Sequence, residues 1–382
     1  MQVTNFYPEQ YKDTLEKDIN HNYLAQQFID YPEIFKKIEQ VVRNGDYTLG
    51  HAVDEFEKNF AEKINSKYAI GVGSGTDALM LSLKALDIGA GDEVITTPFT
   101  FYATIGAIVT AGATPVFVDI EEDYNISASK IEAAITDKTK AILPVHWSGK
   151  PCDMDEILTV AKANGLKVVE DSCHGIQATY KDKYAGTFGD FGCFSMHPLK
   201  NLNVWGDGGL VCTQDEELAC KMRLMRNHGL VDRDHCQVFA YNSRLDTVQA
   251  VVADHLLQKI DFITKNRIAN AEYLDNALSE IPQVTIPRRD KHHTKQVYHI
   301  YSLLFERRDE LSAYLASHGV DAKAHYPIPM HLQPAAKQWG YQKGDFPVTE
   351  KTCDMTLSLP VHEFIETSQL SKMITLIKDF YA

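Results

Sequence analysis

Hydrophobic and polar positions change their period several times along the chain. Up to about residue 44 the pattern is amphipathic with helical spacing and predicts helix through HNYLAQQF, which ends at Phe28. Gly45-Asp46 predicts a turn, and HAVDEFEKNFAEKI a clear helix after it. From Tyr68 short β-rich runs alternate with helical ones: YAIGV, DALMLSLKAL, DEVITT, a helical stretch from Tyr102 to Thr110, TPVFVDI, KIEAAI as a helix, AILPVH, MDEILTVAKANG and LKVVED. Such alternation predicts an α/β sheet of mostly parallel strands with helices on both faces. After Gly186 the runs FGCFSM and GGLVCT predict a hairpin-like return or reversed strands, so the sheet is expected to be mixed.

From about Asp246 one helical pattern, TVQAVVADHLLQKIDFITKNRIANAEYLDNAL, is long enough to join two domains as a single helix. Strand-like VYHIYSLLF, the helix DELSAYLASHG and a final amphipathic helix predict a smaller α/β unit. The expected division is a large domain over residues 1–250 and a small C-terminal domain over 251–382, as suits a 382-residue chain too long for one compact core.

Composition narrows the function classes. With 44% hydrophobic and 24% charged residues the chain reads as an ordinary globular protein. Its formal net charge of -14, without a basic stripe, argues against nucleic acid as a partner, so an anionic ligand has to be held by a few local groups. The N-terminal stretch MQVTNFYPEQYKDTLEKDIN is polar and does not read as a signal peptide. No apolar run approaches the roughly 20 residues that span a bilayer, so no membrane partner is expected. Seven scattered cysteines, an odd number without a CxxC pair, read as reduced thiols of a cytoplasmic protein and not as a disulfide framework or zinc site.

Four motifs carry candidate chemistry. Gly73-Ser74-Gly75-Thr76-Asp77 lies between a strand and a helix, where small residues, the hydroxyls of Ser74 and Thr76 and the helix start suit a phosphate. Read alone, it is equally an N-cap turn with Thr or Asp as cap. Glu170-Asp171 closes the strand LKVVED, where open α/β sheets place their ligands, and a carboxylate there can pair with a protonated ring nitrogen. A helix cap or loop salt bridge explains it as well, and His174, three residues on, is either a ligand contact or a structural donor. Lys200 follows an aromatic-rich strand in Ser195-Met196-His197-Pro198-Leu199-Lys200-Asn201 and precedes the glycine-rich turn Gly206-Asp207-Gly208-Gly209. Most lysines are solvated, but one held inward loses proton affinity and forms Schiff bases with aldehydes. Phe99-Thr100-Phe101-Tyr102 ends another strand, where an aromatic can stack on a flat ring or simply pack the core.

In this order, and with YTLGHAVDEFEKNFAEKI, SGTDAL, GDEVITTPFTFYAT, PVHWSGKPCDMDEI, VVEDSCHGIQA, FSMHPLKN, GDGG, RNHG, YNSRLDTVQA and HYPIPMH, the sequence resembles the DegT/DnrJ/EryC1/StrS family of sugar aminotransferases along nearly its whole length. The resemblance implies the aspartate-aminotransferase-like (type I) fold with pyridoxal 5'-phosphate as cofactor. It implies Lys200 as the Schiff-base lysine, Asp171 for the pyridine nitrogen, and Ser74, Gly75, Thr76 and Ser195 for the phosphate. Phe101, beside Tyr102, takes the stacking position, and His174 stands where many members carry glutamine near the ring hydroxyl. Asn242 is expected to reach the phosphate of a neighbouring subunit, making a homodimer with shared sites, while His325 and Tyr326 shape the sugar pocket. Members that replace the lysine by histidine are dehydratases; with Lys200 present, transamination is expected. The implied partners are an amino donor, glutamate, and a nucleotide-linked keto sugar, with KNLNxWGDGG and HYPIPxH closer to amination at C3 of a dTDP-linked 6-deoxyhexose. Amination at C4, a UDP-sugar or a keto cyclitol remains open, as does a non-catalytic regulator that binds the same cofactor. A nicotinamide dehydrogenase lacks its GxGxxG here, and a zinc hydrolase its HExxH; no metal is expected.

Overall fold

The computed structural model describes residues 17–290 and 292–382. The first sixteen residues of the polar N-terminal stretch therefore lie outside the described residues. The large sheet has seven strands, here β1 (Tyr68–Val72), β2 (Glu93–Thr96), β3 (Thr114–Phe117), β4 (Thr139–Ile142), β5 (Lys167–Asp171), β6 (Phe191–Ser195) and β7 (Gly209–Thr213), in the spatial order β1-β7-β6-β5-β4-β2-β3. β7 alone runs against its neighbours: it is antiparallel to both β1 and β6, and the remaining pairings are parallel. The expected reversed strand is thus β7. It fits between β1 and β6 because both point the same way, so Val72, Thr96, Asp171 and Ser195 all end on one edge of the sheet.

These strands read as near-continuous apolar runs because both faces are covered. On one face the helices Gly75–Ala85, Tyr102–Ala111 and Glu216–Arg226 pack with Ile70, Val94, Val169 and Val211. On the other, Val53, Phe56 and Phe60 of the helix His51–Lys63 meet Phe194, Leu210, Cys212 and the helix Thr247–Leu257. The predicted turn at Gly45 is real: it caps the helix Tyr31–Asn44 at φ +67°. A separate apolar cluster joins the helix Ile260–Leu278 to a three-stranded antiparallel sheet (Val284–Thr285, Tyr301–Phe305, Thr356–Leu359) and the final helix Thr367–Tyr381. Ile19, from the start of the described chain, packs into that same cluster.

Two expectations need correction. KIEAAI is not an α-helix but two short 3-10 turns, Ala128–Lys130 and Glu132–Ala134. Fully buried Ile131 sits between them and bonds run from residue i+3 to i (Ile131 N to Ala128 O, 3.1 Å; Ala134 N to Ile131 O, 2.9 Å). The long helix from 247 is broken into Thr247–Leu257 and Ile260–Leu278. At the break Lys259 N–H turns to Leu256 O (2.9 Å) and its side chain pairs with Asp30 (2.6 Å). Ile260 and Ile263, just past the break, still pack in the core of the first half, and the buried apolar residues of the second half join the other core only from Ala271 on. Among the described residues no helix is long and apolar enough to cross a membrane.

Candidate active site

The turn after β1 is where the sheet edge meets a helix start. Ser74 is extended and caps the helix Gly75–Ala85, its hydroxyl accepting the Asp77 N–H at 3.0 Å. The cap is therefore Ser74 and not the expected Thr or Asp. The first turn leaves Gly75 and Thr76 N–H groups without an intrahelical acceptor, at the positive end of the helix dipole. A Cβ on Gly75 would lie 2.6 Å from Ser195 Cβ, and one on Gly209 would lie 2.2 Å from the Ser74 carbonyl oxygen. Only glycines let this turn press onto the ends of β6 and β7, which brings the Ser195 hydroxyl beside the helix start. Thr76 is exposed there. Asn242 is exposed too, and its neighbour Ser243 ties the segment to the turn, donating to Asp77 Oδ2 (2.8 Å) and accepting the Gly73 N–H (3.1 Å).

β5 ends in two buried carboxylates that face opposite ways, as alternate residues of a strand do. Glu170 is fully buried and accepts four bonds: from His146 Nε2 (2.9 Å) and the N–H groups of Gly186 (2.8 Å), Phe188 (2.7 Å) and Gly189 (2.8 Å). His146 Nδ1 accepts the Cys152 N–H (3.1 Å), which fixes the proton on Nε2. Asp171 accepts from the Thr104 hydroxyl (2.8 Å) and the Cys173 N–H (3.2 Å). Since Thr104 gives its one proton to Asp171, the Thr100 hydroxyl must donate to Thr104 (2.7 Å). A carboxylate has about four lone-pair sites, so Asp171 keeps capacity on the side facing the sheet edge.

Lys200 lies in the connection between β6 and β7 and is half-buried. Burial pushes its amine below the usual lysine range, and negative Asp171 and the Cys173 thiol push the other way. Among the described residues no side chain hydrogen-bonds or pairs with that amine. Beside it is a cavity of about 10 Å³ lined in part by Ser172, Cys173, His174, Ser195 and Asn201. The imidazole of His174 packs against His299 at 4.4 Å between ring centres. Burial holds both rings well below the ordinary histidine range, with the positive Lys200 adding to it. His174 Nδ1 accepts the Ser148 N–H (3.2 Å), so the neutral ring carries its proton on Nε2 and is a donor.

Of the aromatics, Phe99 is fully buried against Trp147 (4.8 Å) and belongs to the core, whereas Phe101 is 49% exposed, 5.9 Å from the ring of Tyr326. Phe101 is therefore free to stack on a flat ligand, as is Tyr102 beside it, 54% exposed. Burial pushes the Tyr326 hydroxyl up, and Asp171 adds to the effect, which places Tyr326 at the same site. His325 bonds to Ser358 Oγ (3.0 Å) and is driven down to about 3 by burial, with His21, Lys323 and Lys200 contributing. Ser74, Gly75, Asp171 and Ser195 thus lie along one edge of the sheet, with Phe101 and Tyr326 in contact and Asn242 exposed, whereas Glu170 and Phe99 are turned into the core.

Sequence reasoning missed Thr100, Thr104, His146, Ser148 and His299. Thr100 and Thr104 stand in the quoted GDEVITTPFTFYAT, His146 and Ser148 in PVHWSGKPCDMDEI and His299 in VYHIYSLLF, but the role of each shows only through its partners in the fold. Among the described residues no group of three or more His, Cys, Asp or Glu side chains is arranged to hold a metal ion.

Residues 29–378 match the model of the DegT/DnrJ/EryC1/StrS aminotransferase family. A pleiotropic regulatory protein of Geobacillus stearothermophilus is 40% identical over 92% of this chain and 95% of its own. The dTDP-3-amino-3,4,6-trideoxy-alpha-D-glucose transaminase of Streptomyces venezuelae is 38% identical over 90% of each chain. Among solved structures, S. venezuelae DesV, in complex with a ketimine intermediate, superposes with a TM-score of 0.92 at 36% identity over 95% of this chain and 98% of that one.

Proposed function

The chain belongs to the DegT/DnrJ/EryC1/StrS aminotransferase family, and from that premise we propose that it moves the amino group of glutamate onto C3 of a dTDP-linked keto-6-deoxyhexose, with Lys200 as the catalytic amine. The broader activity follows from membership and from its relatives: it is an aminotransferase that uses pyridoxal 5'-phosphate and acts on a nucleotide-linked keto sugar. The finer substrate follows the transaminase of S. venezuelae, whose name places the amino group at position 3 of a dTDP-sugar. One observation carries the role of Lys200: a half-buried amine, unpaired among the described residues, on the connection after β6, within electrostatic reach of Asp171 at the end of the adjoining strand.

The residues present fit the cofactor. A helix start that only glycine lets close onto Ser195 suits the phosphate, and Asp171 has lone pairs left for a ring N–H. Bound pyridoxal phosphate supplies an aldehyde for an amine and a ring that accepts the electron pair left when a substrate carbon loses its proton. Ser74, Gly75, Thr76 and Ser195 would hold the phosphate. Asp171, steadied by the Thr100–Thr104 hydroxyl pair, would keep the ring nitrogen protonated, and Phe101 would cover one ring face. His174, a neutral donor through Nε2, would meet the ring hydroxyl. Lys200, pushed toward its neutral form, can take up a proton from the substrate carbon and return it. His325 and Tyr326 border the space left for the sugar. Asn242, exposed beside the phosphate turn, would serve the site of a second copy, giving a homodimer. Seven free thiols favour a reducing, cytoplasmic setting. We read the chain as a large unit over 1–250 and a small one over 251–382.

The test is the visible spectrum of the protein loaded with pyridoxal phosphate. Wild type is expected to show the band of the lysine-bound cofactor, and glutamate to bleach it; Lys200→Ala is expected to show neither. A wild type without the band overturns the reading. A band that no amino donor changes would favour a regulator, the role named for the Geobacillus relative.

A further inference from the structure

Behind Lys200 runs a buried polar chain that the reaction above does not use. Asn203, fully buried three residues further along the same loop, directs its side-chain amide to the Lys200 carbonyl (2.8 Å) and to Gln27 Oε1 (2.6 Å). Gln27 closes the short helix Leu24–Gln27 near the start of the described chain and donates to Glu363 Oε1 (3.1 Å). Glu363 pairs with Arg267 (3.3 Å). The Arg267 guanidinium also donates to the carbonyls of Tyr298 (3.0 Å) and His299 (3.3 Å) and to the Tyr23 hydroxyl. One continuous network thus reaches both the Lys200 loop and the backbone of His299, the ring that supports His174.

The network is poorly built for stability. Among the described residues Asn203 Oδ1 is buried without a hydrogen-bond partner, and Glu363 Oε2 and Arg267 Nε, the atoms of the ion pair, approach each other at 3.3 Å without hydrogen-bond geometry. Buried ion pairs with leftover polar atoms often gain nothing over well-packed apolar residues. What this one does supply is directed contacts at fixed positions, from segments 336 residues apart, ending on the backbone of the reactive lysine.

We propose that Gln27 and Glu363, linked through Asn203, are positioning residues for Lys200. Their contacts hold the lysine loop in the pose needed for proton transfer. The proposal rests on the reading of Lys200 as the catalytic amine.

The experiment compares Gln27→Leu with the double variant Gln27→Glu/Glu363→Gln, which exchanges amide and carboxylate but keeps an acceptor for Asn203. Three quantities are read: the single-turnover rate at which glutamate bleaches the cofactor band, the thermal midpoint, and amide hydrogen exchange across residues 197–204. Small misplacements remote from the chemistry cost up to about a hundredfold in rate. Gln27→Leu is therefore expected to slow bleaching by roughly ten- to a hundredfold at full cofactor loading and to raise exchange in the loop, with both largely restored in the double variant. A lower thermal midpoint with wild-type bleaching rate and wild-type loop exchange would overturn the proposal and leave the network merely structural. If wild type itself forms no band, the functional reading falls, and the exchange measurement on the same proteins still decides whether Gln27 holds the loop.

Discussion

Glu170 and Asp171 are neighbours on one strand, both buried, yet they occupy opposite kinds of region. Below the sheet edge Glu170 is enclosed by His146 and three backbone N–H groups, all belonging to the chain. On the other face Asp171 has one hydroxyl and one amide, and looks toward Lys200 and Tyr326. A carboxylate whose lone pairs are filled by its own fold holds the fold. One that is left part-filled is free to take a ligand. The difference lies in the count of donors and not in burial, which is nearly the same for the two.

The strongest way to break that comparison is Asp171→Asn. Losing a preorganised charge opposite the reacting group costs about a thousandfold in turnover, and the denaturation midpoint is expected to stay close to wild type; a steady-state assay beside a urea melt checks both. Glu170→Gln should do the reverse. An amide nitrogen cannot accept from donors placed for oxygen, and breaking such a buried set costs roughly 3 kcal/mol of stability, while turnover per folded molecule stays within a few-fold. If the two variants gave the same profile, the distinction would be gone. The smallest effect is expected from Thr104→Val, which removes one charge-assisted bond from Asp171. Losing that bond, with the buried Thr100 hydroxyl left without its acceptor, is expected to cost about 1.5 kcal/mol in the urea melt and, if the same energy is lost from the reacting state, about tenfold in kcat, with little change in cofactor loading.

Much of this was legible in the sequence. The alternation from Tyr68 gave the strands and covering helices because each run follows one local period. The glycines of the phosphate turn were legible as small residues, and Lys200 through its setting between an aromatic strand and a glycine turn. What stayed hidden depends on distant partners. Nothing near Glu170 tells it from Asp171, since His146 and the N–H groups after Tyr184 arrive only through the fold. The break at Lys259 lies inside an unbroken helical pattern, and the partner that Lys259 meets there, Asp30, is 229 residues away in sequence. KIEAAI has helical residues, yet its bonds close as two 3-10 turns on either side of buried Ile131, which its local pattern does not reveal. Gln27 reads as one more polar residue on an amphipathic helix, and its role depends on Glu363 and Asn203.

That last separation has a consequence in time. A ribosome adds about 5–20 residues per second, so the 336 residues between Gln27 and Glu363 take on the order of 20–60 s to make. Within that interval the nascent chain gains first the phosphate turn and then Lys200, both without the far end of the brace behind the lysine. Newly made molecules therefore pass through a stage in which a reactive amine is present before its support, and the order of synthesis makes the brace the last part of the site to arrive.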